Sequence, residues 1–389
     1  MIAPAQRMSA IKPYVFAGLI QRKEEVRAAG VDVIALDIGS PDLPPGDDIV
    51  NALVAAARHP NKHGYGGFTG TPAFRKAFAD YYSRRFNIEL HPEKEVLPLL
   101  GSKEGIYHMA FAYLNPGDVA LVPDPGYPAY TGGALLAGAT PYPMPLLRER
   151  GWLPDFDAIP PDVLAKARLM WLNYPNNPTT AVAPLSFLEA AVAFCRRHNI
   201  LLCHDNPYCD NVYDGYLAPS VLQVAGAKDT AVEFASLSKS HNMAGMRVGV
   251  LMGNAEVVKT VGTLKTNADS GPYLGVQEAA IAALTGDQTW RHEAQEAYRE
   301  RRDLVVQGLR AMGCQVDAPQ ATIYVWAGIP AGFNTSAEWA EHLLVNKGIV
   351  VTPGTAFGEH GEGYVRISLG APTGRIKQAM DRMTGDVRF

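Results

Sequence analysis

Ser236-Leu237-Ser238-Lys239-Ser240-His241-Asn242-Met243-Ala244-Gly245-Met246-Arg247-Val248-Gly249 places one lysine among small hydroxyl residues, with an arginine eight positions further on. Lysine forms Schiff bases with carbonyls. Serine hydroxyls, backbone N–H groups and arginine bind phosphate. A carbonyl and a phosphate on one small molecule describe pyridoxal 5′-phosphate (PLP). The competing reading is a serine-rich turn with a solvated lysine, so the decision passes to the surrounding sequence.

That surrounding sequence has a βα rhythm. Val96 to Leu100, Val119 to Val122, Leu169 to Leu172, Leu201 to His204, Val232 to Leu237 and Val248 to Met252 are short apolar runs. Helical patterns separate several of them, at Lys103 to Leu114, Ala129 to Leu136 and Leu185 to His198. Such alternation predicts a mostly parallel sheet covered on both faces. Upstream, residues 14–30 read as an amphipathic helix and Val31 to Ile38 as a strand. Downstream, Gln277 to Arg310 reads as one or two long helices. Thr322 to Trp326, Ile349 to Val351 and Tyr364 to Leu369 read as strands of a smaller α+β unit, with Ser336 to Asn346 a helix between them.

The polar residues that follow the strand runs carry the chemistry, because open α/β sheets bind ligands at the carboxyl ends of their strands. Asp205, in His204-Asp205-Asn206-Pro207-Tyr208, is placed either to cap a helix or to pair with the pyridinium nitrogen of the cofactor, and Tyr208 either packs or donates to the ring oxygen. Asn177, in Asn173-Tyr174-Pro175-Asn176-Asn177-Pro178, fits a turn or a donor to the same oxygen. Gly101-Ser102-Lys103 opens a helix whose free N–H groups suit a phosphate. Tyr127 is a loop aromatic able to stack on the pyridine face. Arg366 lies inside an apolar strand, where an arginine needs a partner: an internal carboxylate, or that of a substrate.

These segments, in this order and spacing, resemble the class I aminotransferases of PLP fold type I, and among them the bacterial LL-diaminopimelate aminotransferases. Ile11-Lys12-Pro13-Tyr14, Gly101 to Gly105, Pro123 to Pro128, Gly226-Ala227-Lys228-Asp229, Ser238 to Met243 and Gly361 to Arg366 carry the closer likeness, which spans roughly residues 7–385. The resemblance implies an α/β fold with a mostly parallel seven-stranded sheet in a large PLP-binding domain (residues 46–285), a smaller α+β domain (286–389), and an N-terminal segment (1–45) joining the latter. It implies Lys239 as Schiff-base lysine and proton shuttle, Asp205 at the pyridinium, and Asn177 and Tyr208 at the ring oxygen. By the same resemblance Ser102, Lys103, Ser236, Ser238 and Arg247 would form the phosphate cup, and Arg366 would clamp the substrate carboxylate beside Gly39. Tyr14 and Asn267 would also touch substrate. Tyr65 would reach the phosphate of a neighbouring subunit, and the active unit would then be a homodimer. Amino and 2-oxo acids exchange by a ping-pong route, with LL-2,6-diaminopimelate and 2-oxoglutarate the first choice of pair. Three departures stand out: Thr180 where these enzymes usually carry glycine, Met246 where they carry tryptophan, and Gly66-Gly67-Phe68-Thr69 after Tyr65.

Bulk properties agree. A net charge of −4 over 389 residues gives no footprint for nucleic acid. No signal peptide or apolar run of membrane length is present, and the four cysteines form no CxxC pair, which predicts a cytoplasmic protein with reduced thiols and no metal site. Other aminotransferases for aspartate or alanine, a PLP lyase on the same fold, and a PLP-sensing regulator are the competing readings. The last needs a helix-turn-helix ahead of the domain, for which Tyr14 and Gly39 leave no room.

Overall fold

The computed structural model describes residues 2–11 and 15–385, the side chains of 15–17 excepted. Its strands are β1 (Ile34–Ala35), β2 (Val96–Leu99), β3 (Val119–Asp124), β4 (Thr140–Pro145), β5 (Ala167–Asn173), β6 (Leu201–Asp205), β7 (Ala231–Ser236), β8 (Gly249–Gly253), β9 (Tyr324–Gly328), β10 (Ile349–Val350), β11 (Thr352–Pro353) and β12 (Tyr364–Ser368). Seven of them form one sheet in the order β2-β8-β7-β6-β5-β3-β4. Only β8 runs against its neighbours. The sheet is the mostly parallel, seven-stranded one that the resemblance implies.

Alternation along each strand builds two cores. Met170 and Leu172 of β5 face one cluster, with Leu202, Val250 and helices Pro72–Phe86, Leu185–His198 and Leu274–Thr285. Leu169 and Trp171 face the other, with Val122, Phe234 and helices Ser102–Tyr113, Ala129–Leu136 and Ala255–Ala268. Each such side chain contributes about 1.5–3 kcal/mol on leaving water. Local chemistry sets the helix ends. Thr71 Oγ1 accepts from the Phe74 N–H at 3.2 Å with Pro72 at the first turn, and Asn87 closes that helix in the left-handed region.

Two strands escaped sequence reading, β4 and the two-residue β11. β4 carries Pro141, Pro143 and Pro145, which give no strand signal. Proline donates no ladder bond, so it belongs at a sheet edge. β4 is an edge strand, paired among the described residues with β3 alone.

A third core surrounds the antiparallel sheet β11-β12-β9, against helices Thr289–Ala311 and Thr373–Thr384. The expected strand Val31 to Ile38 shrinks to β1, which pairs in parallel with β10. A buried ion pair of Lys23 with Asp37, 3.3 Å, ties helix Val15–Ala28 to the same region.

Candidate active site

The carboxyl ends of the parallel strands converge on a cavity of about 330 Å³. Asp205 is the last residue of β6, and Asn173, its register partner, the last of β5. The Asn173 amide donates to the Asp205 carbonyl at 2.7 Å, and its Oδ1 accepts the Asn177 N–H at 2.8 Å, so one asparagine locks both strand ends. Tyr127 follows β3, and Lys239 sits in the short helix Leu237–Ser240 that follows β7. Because β8 runs the other way, its beginning lies at this edge, and that brings in Arg247.

Glycine makes the phosphate end possible. Gly101, at φ +82°, precedes helix Ser102–Tyr113, and a Cβ there would lie 2.3 Å from Arg247 Nη2. Arg247 bridges the Ala244 and Leu100 carbonyls at 2.9 and 3.3 Å. Ser236 Oγ donates to the Val248 carbonyl at 3.0 Å and accepts the Ser238 N–H at 3.2 Å. Ser102, Lys103, Ser236, Ser238 and Arg247 all line the cavity. Helix N–H groups, hydroxyls and two cations in one cradle match a phosphate. Burial and the Arg247 charge lower the Lys103 pKa.

Asp205 faces the same space from deeper in the sheet. Tyr130, stacked on Trp171, donates to Oδ2 at 2.7 Å. Oδ1 is buried and has no hydrogen-bond partner among the described residues. Burial pushes this carboxyl up to about 6. An orphaned buried carboxylate oxygen is costly unless a cationic donor meets it, and a pyridinium N–H is such a donor. The residues therefore fit PLP at both its phosphate and its ring nitrogen.

Lys239 Nζ donates to the Gly39 carbonyl. Burial lowers its pKa, the Arg366 and Arg247 charges add to that, and Tyr324 opposes it; a lysine so placed loses its proton readily. Arg366 is buried. Its Nη1 donates to Asn177 Oδ1 at 2.8 Å and its Nη2 to the Asp37 carbonyl at 2.7 Å, both neutral acceptors. Its guanidinium lies 4.2 Å from the ring centre of Tyr324 and 4.6 Å from that of Phe357. With Oδ1 given to Arg366, the Asn177 amide NH₂ is the end available to an acceptor in the cavity. Burial keeps Cys209, beside Tyr208, a neutral thiol.

Gly39, Tyr127, Asn177, Tyr208, Lys239 and Arg366 thus join the phosphate group and Asp205 around one cavity. Two expected residues are not brought there. Tyr65 is 94 % exposed on the surface of its own chain. Asn267 lies on the exposed side of helix Ala255–Ala268, its amide bonded to the Thr263 carbonyl at 2.9 Å. Tyr14 lies outside the described residues. Sequence reasoning missed Asn173, Tyr130, Tyr324 and Phe357; the first was visible only as part of an Asn-Pro turn, and the other three carry no local signal that sets them apart from packed aromatics.

It also missed what holds the phosphate helix. Lys265, fully buried, reaches Glu104 at 2.7 Å and Asp269 at 2.6 Å, with His108 between the two carboxylates at 3.2 and 3.4 Å. The other Glu104 oxygen accepts the Leu100 N–H. The lysine ammonium already fills the centre of this Glu104–His108–Asp269 cluster.

A buried lysine, a carboxylate with one oxygen unpartnered among the described residues, a cradle suited to phosphate and a buried arginine, all at the carboxyl edge of an α/β sheet, fit a PLP-dependent transferase. Comparison with known proteins narrows this. Residues 31–383 match the family Aminotransferase class I and II. The chain is 49 % identical to an LL-diaminopimelate aminotransferase of Desulforudis audaxviator over 98 % of this chain and 97 % of the relative. It is 47 % identical to one of Moorella thermoacetica, over 99 % of both. The substrate-bound BacF structure of Bacillus subtilis superposes with a TM-score of 0.94 at 39 % identity, covering 99 % of this chain and 98 % of the other. The chain belongs to the class I and II aminotransferases. It is a PLP-dependent transaminase whose substrates are amino acids and 2-oxo acids.

Proposed function

We propose that this aminotransferase exchanges the amino group between LL-2,6-diaminopimelate and 2-oxoglutarate, in lysine biosynthesis, in the cytoplasm. The observation that carries diaminopimelate is the end-to-end similarity, 45–49 % identical over nearly the whole chain, to relatives named LL-diaminopimelate aminotransferase. No helix among the described residues is long and apolar enough to cross a membrane.

PLP supplies an electron sink for the bond broken at the substrate α-carbon. The chain's residues do the rest. Arg366 forks the α-carboxylate, held flat between Tyr324 and Phe357. Asp205 keeps the ring nitrogen protonated. Asn177 and Tyr208 donate to the ring oxygen. Lys239 carries the proton from the α-carbon, its amine neutralised by burial and nearby cations. Ser102, Lys103, Ser236, Ser238 and Arg247 anchor the phosphate.

We read the active unit as a homodimer, with Tyr65 reaching the neighbouring phosphate and Tyr14 and Asn267 touching substrate. Exposed Tyr65, Phe68 and Tyr273 on adjoining loops support an interface there. The division into residues 46–285 and 286–389, the first 45 residues joining the latter, is supported by the β1–β10 pairing.

The test is cofactor absorbance of the PLP-loaded protein. Conversion by glutamate and by LL-diaminopimelate, reversed by 2-oxoglutarate, is expected. Conversion by aspartate or alanine but not diaminopimelate would discard the substrate assignment.

A further inference from the structure

Tyr324 has no role in the scheme beyond flanking Arg366, yet it meets Tyr208, Arg366 and Gly39. It stands on β9 and lines the cavity. Its hydroxyl lies 3.0 Å from that of Tyr208, the rings meeting edge-on at 5.7 Å. Its ring carries the Arg366 guanidinium. A Cβ on Gly39 would sit 1.8 Å from the Tyr324 hydroxyl, so glycine is what admits the phenol there. The same Gly39 carbonyl accepts an N–H of the Lys239 amine. One buried phenol therefore meets the group at the ring oxygen, the group at the substrate carboxylate, and the backbone on which the lysine rests.

We infer that Tyr324 is a positioning residue: its hydroxyl donates to the Tyr208 oxygen and leaves the Tyr208 proton directed into the cavity, toward the cofactor ring oxygen. The inference rests on the role proposed above for Tyr208. Two phenols 3.0 Å apart share one hydrogen bond, and its direction decides the outcome. If Tyr208 were the donor, its only proton would be committed to Tyr324 and none would remain for the ring oxygen. The surroundings select the other direction. Burial raises Tyr208 well above the usual phenol range. Burial acts on Tyr324 too, but the Arg366 guanidinium, 4.2 Å from its ring centre, and the Lys239 charge oppose it and lower Tyr324. The more acidic phenol donates, and a hydroxyl that accepts one bond becomes a stronger donor of its own.

Tyr324→Phe tests this, since it keeps the ring under Arg366 and removes only the hydroxyl. PLP-loaded protein is titrated with acid and base while the cofactor absorbance is recorded. Weaker donation from Tyr208 leaves the ring oxyanion less stabilised, so the cofactor holds its proton to higher pH. The midpoint is expected to rise by about 0.4–1 pH unit, the size of one neutral hydrogen bond. In a Tyr208→Phe background the same substitution is expected to leave the midpoint where it was, because Tyr324 acts through Tyr208. An unmoved midpoint in Tyr324→Phe, or an equal rise in the Tyr208→Phe background, overturns the inference while leaving the transaminase reading intact. A wild-type protein that binds no PLP would overturn both.

Discussion

Replacing Asp205 by Asn should stabilise the cofactor-free protein at neutral pH while weakening its hold on PLP. Asp205 is 3 % exposed, with one oxygen taken by Tyr130 and the other unpartnered among the described residues. Burial raises its pKa from an ordinary 3.8 to about 6, with Tyr130 and His204 opposing. The folded chain therefore binds an extra proton between those values. For an acid whose folded pKa is raised, stability is present below the window and lost as pH climbs through it. At 1.36 kcal/mol per pH unit, the full loss is about 3 kcal/mol. Asparagine carries no charge and keeps an oxygen for Tyr130, so it escapes this loss. Urea unfolding of both cofactor-free proteins, at one protein concentration, reads the difference. The stability of Asp205→Asn relative to wild type is expected to grow by about 2 kcal/mol between pH 4.5 and pH 8. At pH 8 the variant should bind PLP about 10- to 100-fold more weakly, having lost a charge-assisted bond to the pyridinium. A stability difference that is flat across this pH range would refute the claim that charge burial dominates at Asp205.

Four further outcomes are expected. Lys265→Ala leaves Glu104, His108 and Asp269 around a vacated ammonium, so the thermal or urea midpoint should fall by the equivalent of about 3 kcal/mol. Gly101→Ala forces a methyl into the Arg247 guanidinium at φ +82°, and equilibrium dialysis should show PLP affinity lowered about tenfold or more. Arg366→Lys keeps the charge but loses the planar fork, so kcat/KM for the amino donor should fall about 10- to 100-fold. Thr180, a β-branched residue at φ +61°, occupies a conformation suited to glycine; Thr180→Gly should raise stability by about 0.5–1 kcal/mol, and a lowered unfolding midpoint would contradict this.

The sequence by itself determined the sheet and most of the site, because in an open α/β fold both are written locally. Apolar runs become strands, and the polar residue that follows each run must lie at the carboxyl edge. Asp205, Asn177, Tyr127, Ser102 and Lys239 could therefore be placed from their strands alone. β4 was hidden because three prolines erase the strand signal, and only pairing with β3 at an edge restores it. Asn173, Tyr130 and Tyr324 were illegible for another reason. Each lies within a regular element or a turn, where asparagine and tyrosine have ordinary structural uses. What singles them out is a partner distant in sequence: Asp205 for the first two, Tyr208 and Arg366 for the third. Tertiary structure alone also decided that Asp205 keeps one oxygen unpartnered among the described residues and that Arg366 enters the same cavity as Lys239. Burial, hydrogen-bond satisfaction and pKa depend on what surrounds a group in space, and for these residues the surroundings come from three separate cores.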